Sequence, residues 1–122
     1  MEMLLPVELD AKKKVRGITI DYRCWQPKVG TKDTTLSFSW CATDALAEIA
    51  KVGWVSASEG DYSGGGDGLV KKVEIVGRAL RGARFLCFKW SVPKQANSSL
   101  LGISDVRVTA DCSQPGFAVQ IR

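Results

Sequence analysis

Apolar and polar residues alternate in one segment of the chain after another, and this pattern constrains the fold more than any other feature. In 18–25, Ile18, Ile20 and Tyr22 share one side, with polar residues between them. The same alternation recurs in 35–41, 69–76, 84–92, 105–112 and 116–122, and 52–57 is a further candidate. Because successive side chains of a strand point to opposite faces, each segment predicts a half-buried strand.

Turn-forming residues separate these segments. Gly, Pro, Asn and Asp cluster at 26–33, 59–68, 77–82, 93–99 and 113–116. Short strands with polar turns between them favour antiparallel pairing. We therefore expect an all-β protein, an antiparallel β-sandwich of about seven strands, formed by a single domain over residues 1–122.

At most one short helix is expected, at 43–53. Thr43 or Asp44 can cap its N-terminus and Gly53 can end it. The segment 41–46 also tolerates an extended conformation, so a strand remains the alternative.

The composition argues against catalysis. The chain of 122 residues contains no histidine, which removes Ser-His-Asp and Cys-His catalysis and the usual zinc sites. The acidic residues are scattered, without a converging pair for glycoside hydrolysis. The glycine-rich segment 59–68 lacks the Gly-Lys-Ser/Thr ending of a phosphate loop and leads into a strand. We expect a protein that is not an enzyme.

The four cysteines, Cys24, Cys41, Cys87 and Cys112, contain no Cys-x-x-Cys pair. Their spacing fits neither a zinc site nor a thioredoxin-type motif. In a reducing compartment we expect free thiols that fill core space, whereas an oxidising one would leave three disulfide pairings open.

No apolar run suits a signal peptide or a membrane span, so the expected location is the cytoplasm.

Basic residues exceed acidic ones by a modest margin, 17 against 13, for a net charge of +4. A solvated face is the ordinary interpretation. The alternative is a site for an anion, an acidic polymer or a glycan, in which Trp25, out of phase with the apolar side of its strand, is exposed. The residues assigned to this site are Lys71, Lys72, Arg78, Arg81 and Trp25. Nucleic acid is not an expected partner.

The glycine-rich loop, 59-EGDYSGGGDG-68, combines a run of glycines with Asp61 and Asp67. Three interpretations are open. The loop is a turn that uses glycines at positive φ, a calcium site, or a concavity in which backbone N–H groups bind an anion.

Three motifs follow one another along the chain: 18-ITIDYRCWQP-27, 36-LSFSWCA-42 and 60-GDYSGGGDGLVKKVEI-75. In this order they resemble the TerD family of calcium-binding β-sandwich domains from tellurite-resistance and stress operons. They stand where the family has a "GLGWDP"-like strand end, a "DLDAS" strand and an acidic loop. Three later strands match in order and approximate spacing, so the resemblance covers nearly the whole chain.

The resemblance implies a non-catalytic stress-response domain that works as a binding module or scaffold through protein partners, and it implies a calcium site. Ser37 and Ser39 stand where the family has aspartates, and only Asp61 and Asp67 match its acidic set. The implied ligands are these four side chains and the loop carbonyl of Gly66.

Calcium is expected to bind this chain weakly or not at all. Calcium prefers six to eight oxygen ligands with several carboxylates among them, and the implied set contains two carboxylates close in sequence to Lys71 and Lys72.

Two functions compete with the TerD-like one: a basic module for an acidic polymer or glycan, and a small assembly protein of a virus or mobile element, for which exposed strand edges would be the sign.

Overall fold

The computed structural model of the protein describes residues 2–9, 14–25, 35–48, 53–63, 68–92 and 102–113. Seven strands lie within these ranges: β1 (Glu2–Glu8), β2 (Lys14–Trp25), β3 (Ser37–Thr43), β4 (Val55–Ser56), β5 (Leu69–Val76), β6 (Phe85–Ser91) and β7 (Gly102–Ser113). Short 3-10 turns occupy Leu46–Glu48, Ser58–Gly60 and Gly77–Leu80. The strand expected at 116–122 lies outside the described residues.

The strands form two antiparallel sheets. One has four strands in the order β1-β6-β3-β4, and the other has three in the order β5-β2-β7. The predicted all-β fold of antiparallel sheets is therefore confirmed, and six of the expected strands correspond to β2 through β7.

The core lies between the two sheets and is rich in aromatic side chains. From the three-stranded sheet, Ile18, Ile20 and Tyr22 of β2 are fully buried, as the alternation predicts. The ring centroid of Tyr22 lies 5.6 Å from that of Phe38 and 5.4 Å from that of Trp90, and both of these partners belong to the four-stranded sheet. Each such pair contributes about 0.5–1.5 kcal/mol beyond the area it buries, so these contacts fix how the sheets face each other.

The short helix considered at 43–53 does not form in the described part of that segment, and the extended alternative for 41–46 is confirmed as far as Thr43. Thr43 belongs to β3 and is paired with Phe85, and its hydroxyl accepts the N–H of Ala45 at 3.2 Å. Pairing with the neighbouring strand therefore overrides the local helix signal, and a 3-10 turn follows at Leu46–Glu48. Within the described ranges, no helix has the length and apolar character needed to cross a membrane.

Strand β1 was not expected from the sequence. It pairs with β6 from Glu2 opposite Ser91 to Glu8 opposite Phe85, and Met3, Leu5 and Val7 pack against the core. Pro6 lies in its middle, which is tolerated because an edge strand does not need every N–H for pairing.

Candidate functional site

The entrance of the glycine-rich loop is paired with β3. Strand β4 pairs with β3 at Ser39 and Trp40, and the N–H of Ala57 then donates to the carbonyl of Phe38 at 3.1 Å. After the 3-10 turn at Ser58–Gly60, backbone pairing resumes between Leu36 and Tyr62, with N···O distances of 2.7 and 2.9 Å. The chain therefore runs along β3 on both sides of this turn.

Asp61 fills the gap in pairing that the turn creates. Its Oδ1 accepts the backbone N–H of Phe38 at 2.8 Å, in a partly buried position. A backbone donor left without a partner away from water costs about 1–3 kcal/mol. Asp61 is thus part of the hydrogen bonding of the sheet. This structural role is consistent with the interpretation of the loop as a turn.

Gly60 lies against the core just before Asp61. The hydroxyl of the fully buried Tyr22 donates to the carbonyl of Gly60. A Cβ atom at Gly60 would lie 2.6 Å from that hydroxyl oxygen and 2.9 Å from Cβ of Phe38. The close approach of the backbone therefore requires glycine here. Burial raises the pKa of Tyr22 well above its ordinary value, and the nearby acids Asp61 and Glu59 add to this effect, so the hydroxyl keeps the proton that it donates.

The other described end of the loop is held by β2. Gly68 has a φ of +76°, and its N–H donates to the carbonyl of Cys24 at 2.8 Å. Its own carbonyl accepts a hydrogen bond from Nη1 of Arg23 at 3.2 Å. A Cβ atom at Gly68 would lie 3.3 Å from the ring of Trp25. Both described ends of the loop are therefore anchored on neighbouring strands.

The residues assigned to a metal site do not assemble into one in the described part of the chain. Ser37 is exposed and Ser39 half-buried, and both lie on the face of β3 opposite to the buried Phe38. Asp61 contacts the edge of β3 at Phe38 instead, and Gly66 and Asp67 lie outside the described residues. No three Cys, Asp or Glu side chains come together within the described ranges. Of the assigned ligands, the described residues therefore contribute one carboxylate, that of Asp61, and calcium binding stays a prediction.

The residues assigned to an anion or glycan site are separated. Lys72 lies directly opposite Asp21, whereas Lys71 lies opposite Tyr22 and so shares the inward face. Arg78 and Arg81 belong to the turn after Val76, at the end of β5 that is remote from Trp25. The eight residues of β5 correspond to about 25 Å. The structure therefore does not bring these residues onto one surface.

Trp25 takes part in a polar network that the sequence did not indicate. It is 37% exposed, and its Nε1 donates to Oγ of Ser104 at 2.7 Å. Ser104 donates in turn to Asp105 at 3.3 Å, and Nε of Arg23 lies 3.4 Å from the same carboxylate. Asp105 has a φ of 52° and lies where the pairing of β2 with β7 shifts register. Only this register brings the four residues together, so no local sequence signal identifies them.

Among the described ionisable groups, every pKa that is shifted lies further from neutral pH than its ordinary value. Burial raises the pKa of the Cys24 and Cys87 thiols to about 11, and it also raises the pKa of Cys41 and Tyr22. A general acid or base works best with a pKa near the operating pH. These groups are therefore mostly protonated at neutral pH, which does not suit acid–base catalysis.

Comparison of the chain with protein-family models, with curated proteins and with solved structures finds no match. The function is therefore inferred from the geometry of the described residues together with the motifs in the sequence.

Proposed function

We propose that the protein is a non-catalytic binding or scaffold domain of the TerD type, in which calcium binding is weakened or lost. The observation that carries this proposal is the hydrogen bond from the Phe38 N–H to Asp61 at 2.8 Å. It engages a carboxylate that the resemblance assigns to calcium, and Ser37 and Ser39 supply no further charge. The loop then serves the sandwich as a structural connection.

A non-catalytic role is supported by the ionisable groups. The chain has no histidine, and the raised pKa values of Cys24 and Cys87 leave these thiols neutral at physiological pH. Nucleophilic catalysis by cysteine requires the thiolate. A domain of this kind acts through the surface that it presents to a partner.

The outer face of the three-stranded sheet suits a protein partner. Val70 and Val76 are 51% and 56% exposed there, on a face that also carries an ion pair between β2 and β7. Asp21 lies between Lys72 and Arg107 in the strand register, and Nε of Arg107 is 3.9 Å from its carboxylate. Exposed apolar side chains beside compensated charges favour a protein surface, whereas an acidic polymer needs uncompensated positive charge.

Calorimetric titration with calcium tests the proposal. Chelator-treated wild-type protein is compared with the double variant Asp61→Ala, Asp67→Ala. We expect weak heats or none from both proteins. Micromolar or tighter binding to the wild type that disappears in the double variant would overturn the loss of calcium binding.

A heparin titration at low salt tests the competing function as a basic module. We expect no binding that depends on salt, because the basic side chains are dispersed and partly paired. Binding that weakens steeply as salt rises would favour an acidic polymer as the natural ligand, since it would report the release of counterions. In that case, Lys72→Ala should bind heparin more weakly than the wild type.

A further inference from the structure

Two cysteines lie directly opposite each other in the four-stranded sheet. Cys41 of β3 and Cys87 of β6 are partners in the strand register, so their side chains are direct cross-strand neighbours. Their neighbours Trp40, Ala42 and Phe88 face the core. Because side chains alternate along a strand, the two thiols lie on the other face of the sheet.

The pair is nevertheless enclosed, since Cys41 is 1% and Cys87 0% exposed. Lys89 follows two positions after Cys87 on the same face, and its Nζ lies 4.3 Å from the centroid of the Trp54 ring. Pro6 is the partner of Cys87 on its other side, in β1. A reagent therefore reaches the two sulfurs only when these surroundings open locally.

We propose that Cys41 and Cys87 form an oxidation site at which hydrogen peroxide produces a cross-strand disulfide. This inference is independent of the proposed binding function and of calcium. The disulfide joins β3 to β6, the two central strands of the four-stranded sheet.

The strand geometry permits this bond. Directly opposed residues of an antiparallel pair have Cα atoms about 4.5–5.5 Å apart, and disulfides span Cα distances of about 4.4–6.8 Å. Cys24, by contrast, lies in the other sheet and packs within the core. Cys112 also lies in the three-stranded sheet, opposite Val15, so the register brings together a single pair among the cysteines of the described strands.

The reaction balances with peroxide as the oxidant. The small thiolate fraction of one cysteine attacks the O–O bond, which gives a sulfenic acid and hydroxide, and the hydroxide combines with the proton that this thiol released to give the first water. The sulfur of the second cysteine then attacks the sulfenic sulfur, the S–S bond forms, and the hydroxyl group leaves as water. The two thiols together lose two electrons and two protons, and one peroxide is reduced to two molecules of water.

A disulfide suits this environment better than a bound soft metal ion. Burial raises the pKa of both thiols, which means that the surroundings disfavour charge. A metal held by two thiolates would place ions in this enclosed position at a cost in desolvation. The disulfide is neutral and leaves no ion to be compensated.

Peptide mapping of the full chain tests the proposal. Folded protein is treated with graded peroxide and quenched with catalase, and the remaining thiols are alkylated in denaturant before tryptic digestion. Each cysteine then lies on its own peptide: 24–28, 33–51, 85–89 and 108–122. We expect a link between 33–51 and 85–89 with the mass of two hydrogens lost, and its disappearance on reduction.

Single variants provide the controls. Cys24→Ala is expected to retain the link, whereas Cys41→Ala is expected to remove it. If Cys41→Ala folds poorly, Cys87→Ala provides an independent test of the same loss. In the wild type, the melting temperature is expected to rise on oxidation and to return on reduction.

Two results would overturn the proposal. One is full alkylation of both thiols at peroxide doses that already convert the methionines to sulfoxides. The other is linkage of 33–51 or 85–89 to either of the remaining cysteine peptides in comparable yield.

Discussion

The carboxylate of Asp61 accepts the backbone N–H of Phe38 at 2.8 Å, although 23 positions separate the two residues in the chain. This contact places the first acid of the glycine-rich loop in the hydrogen bonding of the four-stranded sheet. The loop therefore contributes to stability through its described entrance, independently of any ligand.

Replacement of Asp61 is expected to destabilise the fold. Asp61→Ala leaves the Phe38 donor without its acceptor and should lower the free energy of unfolding by about 1–2 kcal/mol. Asp61→Asn retains an acceptor oxygen, so its loss should be smaller. Urea unfolding measures both values, with Glu59→Ala as the control at an exposed neighbouring acid. Equal losses for Glu59→Ala and Asp61→Ala would contradict the assigned role.

The hydroxyl of Tyr22 is expected to stabilise the loop entrance. Tyr22→Phe preserves the ring and its packing against Phe38 and Trp90 but removes the donor to the buried Gly60. The free energy of unfolding should fall by about 1–2 kcal/mol, because a buried carbonyl loses its partner. Hydrogen exchange should also increase at the amides of Gly60 and Asp61. An unchanged unfolding midpoint in urea would argue against the hydrogen bond.

Gly60 is expected to tolerate no side chain. Gly60→Ala would place a Cβ 2.9 Å from Cβ of Phe38 and 2.6 Å from the Tyr22 oxygen, and the shifts required should cost about 1–3 kcal/mol. Gly53→Ala is the matched control, because nothing lies within 4 Å of a Cβ built there. Thermal unfolding compares the two variants. Similar melting temperatures for both would mean that the loop entrance is looser than described.

Stability is expected to fall at alkaline pH partly because of Cys24. Burial raises the pKa of this core thiol from its ordinary value of 9.0 to about 11, against an opposing effect of Lys71. Above pH 9.0 the unfolded chain releases the proton first, so the contribution present below that pH is lost as the pH rises to about 11. Cys24→Ala should show a shallower decline in unfolding free energy across this window. If the unfolding free energies of the wild type and Cys24→Ala declined in parallel with pH, Cys24 would not contribute to the loss of stability.

The fold was predictable where the alternation was uninterrupted. Strand β5 occupies Leu69–Val76, the range that the alternation predicts, because one face must be buried against the other sheet. Strand β1 escaped prediction because Pro6 interrupts it and its pairing with β6 comes from the far end of the chain. At Thr43 the sequence leaves a helix N-cap and a strand open, because the pairing with Phe85 that selects the strand is not visible in a local sequence pattern.

The site was less predictable than the fold, because it depends on register. The family resemblance implies Asp61 as a calcium ligand, whereas its contact with Phe38 follows from where the chain turns at Ser58–Gly60. The pairing of Cys41 with Cys87 likewise exists only once β3 and β6 are aligned. In both cases the sequence identifies the residues, but their neighbours depend on how the strands are aligned in the sheet.

Urea unfolding of the wild type and of Asp61→Ala, each with excess calcium and with chelator, tests the central claim most directly. A ligand that binds the folded state raises its stability by mass action. We predict that calcium leaves the wild-type free energy of unfolding unchanged, and that Asp61→Ala loses the same amount under both conditions. Stabilisation of the wild type by calcium that Asp61→Ala abolishes would contradict a purely structural role for this residue.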